Sequence, residues 1–162
     1  MFKLRQILLW LLSIWVFAGT GAAGTPQPLA ASWGQVVYVP VYSHIYFGDR
    51  GKTFNLSVTL SIRNVDKNHP IEVKSVQYLD ETGKVVRELA EKPLIIAPFA
   101  AGRFFIRESD VTGGSEAAFL VRWQAGQAVP PPMIGALMVG TSFGQGISFS
   151  TAGRVLDELP GK

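Results

Sequence analysis

The stretch FNLSVTLSIRN, Phe54–Asn64, decides the fold class. Its apolar residues alternate strictly with polar ones, and side chains on a β-strand point to opposite faces with a period of two. One face of this strand is therefore predicted to be buried, while the other carries short side chains rich in hydroxyls. The apolar set is Phe54, Leu56, Val58, Leu60 and Ile62.

The rest of the chain predicts partners for this strand. Short apolar segments recur between turn residues, and no long helix is indicated after residue 23. We therefore predict an all-β fold, an immunoglobulin-like antiparallel β-sandwich of about 7–9 short strands. The other predicted strands are Val36–Phe47, Ile71–Leu79, Lys84–Leu89, Pro93–Pro98, Gly102–Arg107, Ala117–Ala125, Met133–Val139 and Ile147–Ser150. A sandwich is favoured over a closed barrel because Pro40, Pro93 and Pro98 indicate sheet edges.

Three segments carry more specific expectations. The apolar phase changes within Ile71–Leu79, which predicts a β-bulge or burial on both faces. Met133–Val139, MIGALMV, is apolar at both parities and predicts a strand buried on both faces. Arg154–Leu159 is predicted to form one helical turn or coil.

The N-terminus has the pattern of a secretory signal peptide. Lys3 and Arg5 precede the apolar run ILLWLLSIWVFA, Ile7–Ala18. Gly21 and Ala23 then supply small residues at the −3 and −1 positions of a cleavage site. This order of a basic, an apolar and a small-residue region predicts export.

The domain organisation follows from this segment. Residues 1–23 are predicted as the signal peptide, 24–34 as a flexible lead-in and 35–162 as a single β-sandwich domain. The protein is expected to be periplasmic or secreted after cleavage near Ala23. The alternative is an uncleaved anchor, since Ile7–Ala23 is just long enough to span a bilayer. Membrane contact is expected only through this segment, if it stays uncleaved.

Composition narrows the classes of function. The chain has no cysteine, which excludes disulfides, thiolate metal sites and a cysteine nucleophile. It carries 15 Lys and Arg against 12 Asp and Glu, and the signal segment holds two of the bases, which leaves 13 against 12. The remaining bases form no stripe, so nucleic-acid binding is not expected. No cofactor is predicted, and no phosphate-binding loop occurs. No GxSxG elbow is present to position a serine nucleophile.

The first predicted strand carries the strongest candidate binding residues. Tyr38, Tyr42, His44 and Tyr46 share one parity. Aromatic rings with hydrogen-bonding tips suit sugars, peptides or protein partners. The alternative is that these rings pack beneath a neighbouring strand, because strands are enriched in tyrosine in any case.

Arginines on several predicted strands form a second candidate site. Arg63 and Arg122, together with Arg103 and Arg107, fall on strands that could be neighbours and could bind an anion. The alternative is a solvent-exposed face on which these arginines pair with acidic residues.

Carboxylates in the most polar loop form a third candidate site. Glu108, Asp110 and Glu116 could supply oxygen ligands to a calcium ion, although their spacing lacks the EF-hand pattern and a solvated loop is the alternative.

Several motifs resemble an uncharacterised family of exported bacterial proteins, the domain of unknown function 3124. They are GQVVYVPVYSHIYFG (Gly34–Gly48), TLSIRN (Thr59–Asn64), FIRESDVTGGSEAAFLVRW (Phe105–Trp123) and GQGISFSTAGR (Gly144–Arg154). The resemblance spans about Gln35 to Arg154. The family pattern reads closer to GGSGANF where this chain has GGSEAAF, so Glu116 and Ala118 depart from it. The resemblance implies export and a single domain, and it implies no known activity or catalytic residue.

These observations predict a non-enzymatic binding or assembly module of the bacterial cell envelope, with an envelope protein or a glycan as partner. The alternative is a small metal-assisted hydrolase that uses His44 and carboxylates. A divalent metal retained by the purified protein would favour this alternative. Fold alone does not decide between them, because sandwiches support many functions.

Overall fold

The computed structural model describes residues 30–142 and 144–161, so the predicted signal peptide and most of the lead-in lie outside the described residues. All secondary-structure elements in the described ranges are β-strands, which confirms the all-β prediction. The strands are β1 (Ser32–Val41), β2 (His44–Phe47), β3 (Lys52–Asn55), β4 (Ser57–Arg63), β5 (Ile71–Leu79), β6 (Val85–Glu88), β7 (Leu94–Ile96), β8 (Ala101–Ile106), β9 (Ala117–Val129), β10 (Met133–Ser142), β11 (Gln145–Ala152) and β12 (Arg154–Glu158). The described ranges contain no helix long and apolar enough to cross a membrane.

The strands form two sheets and a hairpin, and every pairing is antiparallel. The large sheet has the order β12-β1-β9-β5-β6, with β7 also paired to β5. The small sheet has the order β11-β10-β4-β8, and β2 and β3 form the separate hairpin. β10 and β11 are consecutive in sequence, whereas β4 and β8 are distant from them and from each other, so the outer surface of the small sheet combines three remote segments.

One apolar cluster lies between the two sheets. Trp123, Phe119 and Tyr78 contribute to it from the large sheet, and Leu60 and Met138 contribute from the small sheet. All five side chains are fully buried. Because each sheet turns one face to this shared core, the predicted antiparallel β-sandwich is confirmed. Its immunoglobulin-like subtype stays a prediction.

The segment that decided the fold class forms two strands, because the chain breaks at Leu56 between β3 and β4. Leu56, Val58, Leu60 and Ile62 are fully buried, as the alternation predicted. The phase change in β5 is a bulge against β9 between Val73 and Ser75, which also confirms the prediction.

The turn after β4 is held by buried Asn64. Its side-chain amide donates to the carbonyls of His69, Ile96 and Ala97 at 2.8, 3.1 and 3.2 Å, and its Oδ1 accepts the Asp66 N–H at 2.9 Å. This network ties the end of β4 to the segment that leads into β8. It therefore fixes the two strands that carry Arg63 and Arg103.

Two turns are also closed by aspartates. The backbone N–H of Asn68 donates to Asp66, and this bond is the main cause that lowers the pKa of Asp66. The Thr82 hydroxyl donates to Asp80 at 2.7 Å and lowers the pKa of Asp80 in the same way.

Two predictions for the C-terminal third are wrong. Met133–Val139 is not buried on both faces, because β10 turns one face to the core and leaves Met133, Leu137 and Val139 exposed on the other. Arg154–Leu159 forms neither a helical turn nor coil over Arg154–Glu158, which is β12 and pairs with β1 at Gln35–Tyr38. In both cases tertiary pairing decides the outcome, and local sequence carries no signal of it.

The first predicted strand is also divided. Val36–Phe47 falls into β1 and β2, and the break lies at Tyr42 and Ser43 rather than at Pro40. Pro40 lies in β1 beyond the end of the pairing with β12. Its missing N–H therefore costs no ladder hydrogen bond to β12, as expected for proline at a sheet edge.

Candidate ligand-binding face

The four aromatic candidates of the first strand do not share one face. Tyr38 lies on the outer face of the large sheet, opposite Leu120 of β9. Tyr42 packs against Phe149, with ring centroids 5.7 Å apart. His44 and Tyr46 lie on the hairpin of β2 and β3, where their rings pack edge to face with centroids 5.3 Å apart.

Ser43 explains this separation. The Ser43 side chain is fully buried, and both its N–H and its hydroxyl donate to the carbonyl of Gly114, at 3.2 and 2.7 Å. Its own carbonyl accepts the Leu56 N–H at 2.9 Å. These hydrogen bonds tie Ser43 to the loop before β9 and to the break between β3 and β4. The residues before Ser43 therefore belong to β1 of the large sheet, and those after it belong to the hairpin.

The four candidate arginines are divided between the sheets as well. Arg63 on β4 and Arg103 on β8 share the outer face of the small sheet, where Ser61 pairs with Arg103 and Arg63 pairs with Ala101. Arg122 is exposed on β9 of the large sheet, and Arg107 follows the end of β8. Only Arg63 and Arg103 are brought together.

A groove of about 790 Å³ crosses this outer face and is lined by all four strands. Its floor is the cross-strand row of Ser61, Gly135 and Ala152, which the pairing register places side by side, and Arg103 stands at the β8 end of this row. A Cβ on Gly135 would lie 2.7 Å from the carbonyl oxygen of Thr151, so a larger residue would force β10 and β11 apart. The groove is thus a consequence of small side chains that are aligned across the sheet.

The walls of the groove are the rows on either side of this floor. One wall contains Arg63 and Met133, and the other contains Thr59, Leu137 and Ser150. Met133 is 66% exposed and Leu137 is 46% exposed, which is high for apolar side chains on a structured strand.

Phe105 continues the Leu137 row onto β8, next to Thr59, and is 58% exposed. Exposed apolar side chains that adjoin in this way mark a contact surface more often than scattered single residues do.

The two arginines have no acidic partner in the part of the chain that the structure describes. The ion pairs there join His69 to Asp66, Lys74 to Glu72 and Arg87 to Asp110. Arg63 instead donates a hydrogen bond from its Nε to the Ser61 hydroxyl at 3.3 Å. This bond turns the Arg63 side chain back along β4, toward the row that contains Arg103.

The carboxylate candidates in the loop after β8 are not gathered around one point. Glu108 and Glu116 are exposed, whereas the Asp110 carboxylate accepts from Arg87 and from the Thr112 hydroxyl. Burial alone would raise the pKa of Asp110, but these hydrogen bonds outweigh it and hold the pKa below its usual value.

The histidines are apart from these carboxylates. The Nδ1 atom of His44 lies 3.4 Å from the Ser43 hydroxyl oxygen, and the Nδ1 atom of His69 lies 3.1 Å from Oδ1 of Asp66. Residues 30–142 and 144–161 contain no group of three or more His, Asp or Glu side chains placed to bind a metal. Metal binding stays an untested prediction.

Sequence reasoning missed the groove because its apolar walls looked like core. MIGALMV has no polar residue on either parity, so the exposed side of β10 could not be distinguished from its buried side. A signal was present in the hydroxyl-rich parity of β4, which now lines the groove through Thr59 and Ser61.

These features define the class of protein: an antiparallel β-sandwich with an open face that is both cationic and apolar. A family model described as "Protein of unknown function (DUF3124)" matches residues 34–156. The chain belongs to this family, as the resemblance of its motifs predicted. A comparison with curated proteins finds no match. A solved structure described as "Crystal Structure of Thermotoga maritima 1070" is similar, with a TM-score of 0.43 and 10% identity over 76% of this chain and 94% of that chain.

Proposed function

We propose that this protein is an exported, non-enzymatic binding module of the bacterial cell envelope, and that the outer face of the small sheet is its binding face. The observation that carries the proposal is the presence, around one groove, of exposed apolar side chains and of two arginines that have no acidic partner among the described residues. Arg63 and Arg103 provide the charge, and Met133, Leu137 and Phe105 provide the apolar surface.

The composition of this face supports binding. Arginine and aromatic or flexible apolar side chains are the types enriched where proteins bind partners. A surface that serves only solubility would gain from acidic residues next to its arginines, because alternating charges avoid repulsion. This face instead keeps two like charges on neighbouring strands beside apolar groups, as expected if a ligand supplies the opposite charge.

The architecture of the face also supports a preformed site. The groove is built on four paired strands and not on loops, and the Asn64 network fixes the ends of the two strands that carry the arginines. A backbone that is already held by paired strands loses little freedom when a ligand binds, which favours affinity.

Export and envelope location rest on the sequence. The basic residues Lys3 and Arg5, the apolar run Ile7–Ala18 and the small residues Gly21 and Ala23 support signal-peptide cleavage. Mass spectrometry of the protein purified from cells that express the full-length chain should give an N-terminus near residue 24. A mature N-terminus at Met1 or Phe2 would contradict cleavage.

The binding face is tested with a matched pair of variants. Leu137→Asp places a charge on the proposed face, and Leu156→Asp places the same charge on β12 of the large sheet, where Leu156 is 53% exposed. We expect Leu137→Asp to abolish co-sedimentation of the exported protein with isolated envelope material, and Leu156→Asp to leave it unchanged. Equal effects of the two variants would refute the assignment of the face.

A further inference from the structure

We infer that the groove binds a segment of acidic glycan, a chain of linked sugars that carries carboxylates, and that Arg63 and Arg103 bind one of its carboxylates. The inference rests on the proposed function and names the ligand class for the same face.

The arginine pair is arranged for a carboxylate. Arg63 and Arg103 are diagonal neighbours on adjacent antiparallel strands, a separation that long side chains can span. The Nε bond from Arg63 to Ser61 turns its guanidinium toward Arg103. Because neither arginine has a carboxylate partner among the described residues, the N–H donors beyond the Ser61 bond are available to a ligand, and planar carboxylates match the guanidinium fork.

The hydroxyl groups of the groove fit a sugar chain. The Thr59 and Ser150 hydroxyls have no hydrogen-bond partner among residues 30–142 and 144–161, and Ser61 accepts from Arg63 while its own proton stays free to be donated. Hydroxyls both donate and accept, as the hydroxyls of sugars do. The exposed ring of Phe105 adds a flat apolar surface beside them, suited to the C–H face of a sugar ring.

The place of the groove in the sheet favours a glycan over a peptide. The groove lies on the face of the small sheet and is lined by all four of its strands, so it is not a strand edge. A peptide on this face cannot add a strand to the sheet, and the groove lacks the row of aromatic residues typical of proline-rich peptide sites.

The concave shape argues against a membrane surface. The short side chains of Ser61 and Ala152 and the bare backbone of Gly135 lie between the rows that contain the longer side chains of Met133 and Leu137. A planar bilayer would contact the walls and leave the floor unfilled, whereas a chain one sugar wide can fill it.

The charge test uses oligogalacturonate as the probe and its methyl ester as the uncharged equivalent, with the exported protein in a calorimetric titration. We expect oligogalacturonate to bind and the ester to bind at least tenfold more weakly. Arg103→Gln and Arg63→Gln should each weaken binding about tenfold or more, because each removes a charge-assisted hydrogen bond. Arg154→Gln on β12 is the control with the same loss of charge, and it should leave binding unchanged.

The shape test fills the groove without a change of charge. Ala152 is exposed at the floor, so Ala152→Phe should fold normally and block the glycan. Thermal unfolding of the variant establishes that it is folded. Leu156→Phe on β12 is the control, and it should bind as the unmodified protein does.

The outcomes separate this inference from the proposed function. No binding of oligogalacturonate or oligomannuronate would overturn the glycan. Tighter binding of poly-glutamate, lost in Arg103→Gln, would also overturn it but would leave the binding face standing. Binding of oligogalacturonate that survives both Arg103→Gln and Ala152→Phe would overturn the glycan in this groove, and co-sedimentation that survives Leu137→Asp would overturn the face itself.

Discussion

Leu60 and Leu137 offer a direct test of which side of the small sheet faces the core. Leu60 on β4 is fully buried, and its cross-strand neighbours are Ala136 of β10 and Phe104 of β8. Leu60→Ala therefore leaves a cavity in addition to the lost transfer free energy, and we expect it to lower the free energy of unfolding by about 3–4 kcal/mol.

Leu137 is the same residue type on the opposite face of the adjacent strand. It is 46% exposed, so Leu137→Ala gives up roughly half of the burial and opens no internal cavity. We expect a loss of about 1 kcal/mol. The predicted difference between the two variants is about 2–3 kcal/mol.

Urea denaturation of the exported protein, followed by tryptophan fluorescence, measures both losses. The m-value, which is the slope of the free energy of unfolding against urea concentration, should stay unchanged, since neither variant alters the surface exposed on unfolding by much. In a thermal scan, Leu60→Ala should lower the Tm by roughly 10 °C and Leu137→Ala by roughly 3 °C. Equal losses, or a larger loss for Leu137→Ala, would refute the assignment of inner and outer faces.

Three further predictions concern stability. Asn64→Ala should cost about 3 kcal/mol in urea denaturation, because it leaves buried carbonyls without their donor; a loss below 1 kcal/mol would contradict the role of this network. Tyr78→Phe should cost less than about 1 kcal/mol or stabilise, because the buried Tyr78 hydroxyl has no hydrogen-bond partner of normal geometry among the described residues; a larger loss would show a partner. The free energy of unfolding should fall as the pH drops below about 4, because folding lowers the pKa of Asp66, Asp80 and Asp110. The three carboxylates contribute their full stabilisation above the unfolded-state pKa of 3.8 and lose it as they become protonated in the folded protein. A urea midpoint that is constant from pH 6 to pH 3 would contradict these shifts.

The sequence predicts the elements of the fold better than their partners. Alternation along β4 and β9 placed Leu60 and Trp123 in the core, because the period of two is a local property that survives any tertiary arrangement. The pairing of β12 with β1 joins residues more than a hundred positions apart, and nothing in RVLDE distinguishes an edge strand from coil.

The site depends on information that alternation does not contain. The shared parity of Tyr38 and Tyr46 predicts one face only if the strand is continuous, and buried Ser43 interrupts it through hydrogen bonds to a loop 71 residues away. The groove in turn requires the register that aligns Ser61, Gly135 and Ala152. Register is set by three-dimensional pairing, so the sequence could indicate arginines on strands but not which two would meet.

Hydroxyl-radical footprinting tests the central claim most directly, because it compares the proposed face with the aromatic hairpin in one experiment. Met133 is 66% exposed in the groove and Tyr46 is 61% exposed on the hairpin, so both should be oxidised readily in the free protein. We predict that envelope material or oligogalacturonate protects Met133 and Phe105 several-fold and leaves Tyr46 unchanged. Protection of Tyr46 with continued oxidation of Met133 would contradict the account and place binding on the hairpin.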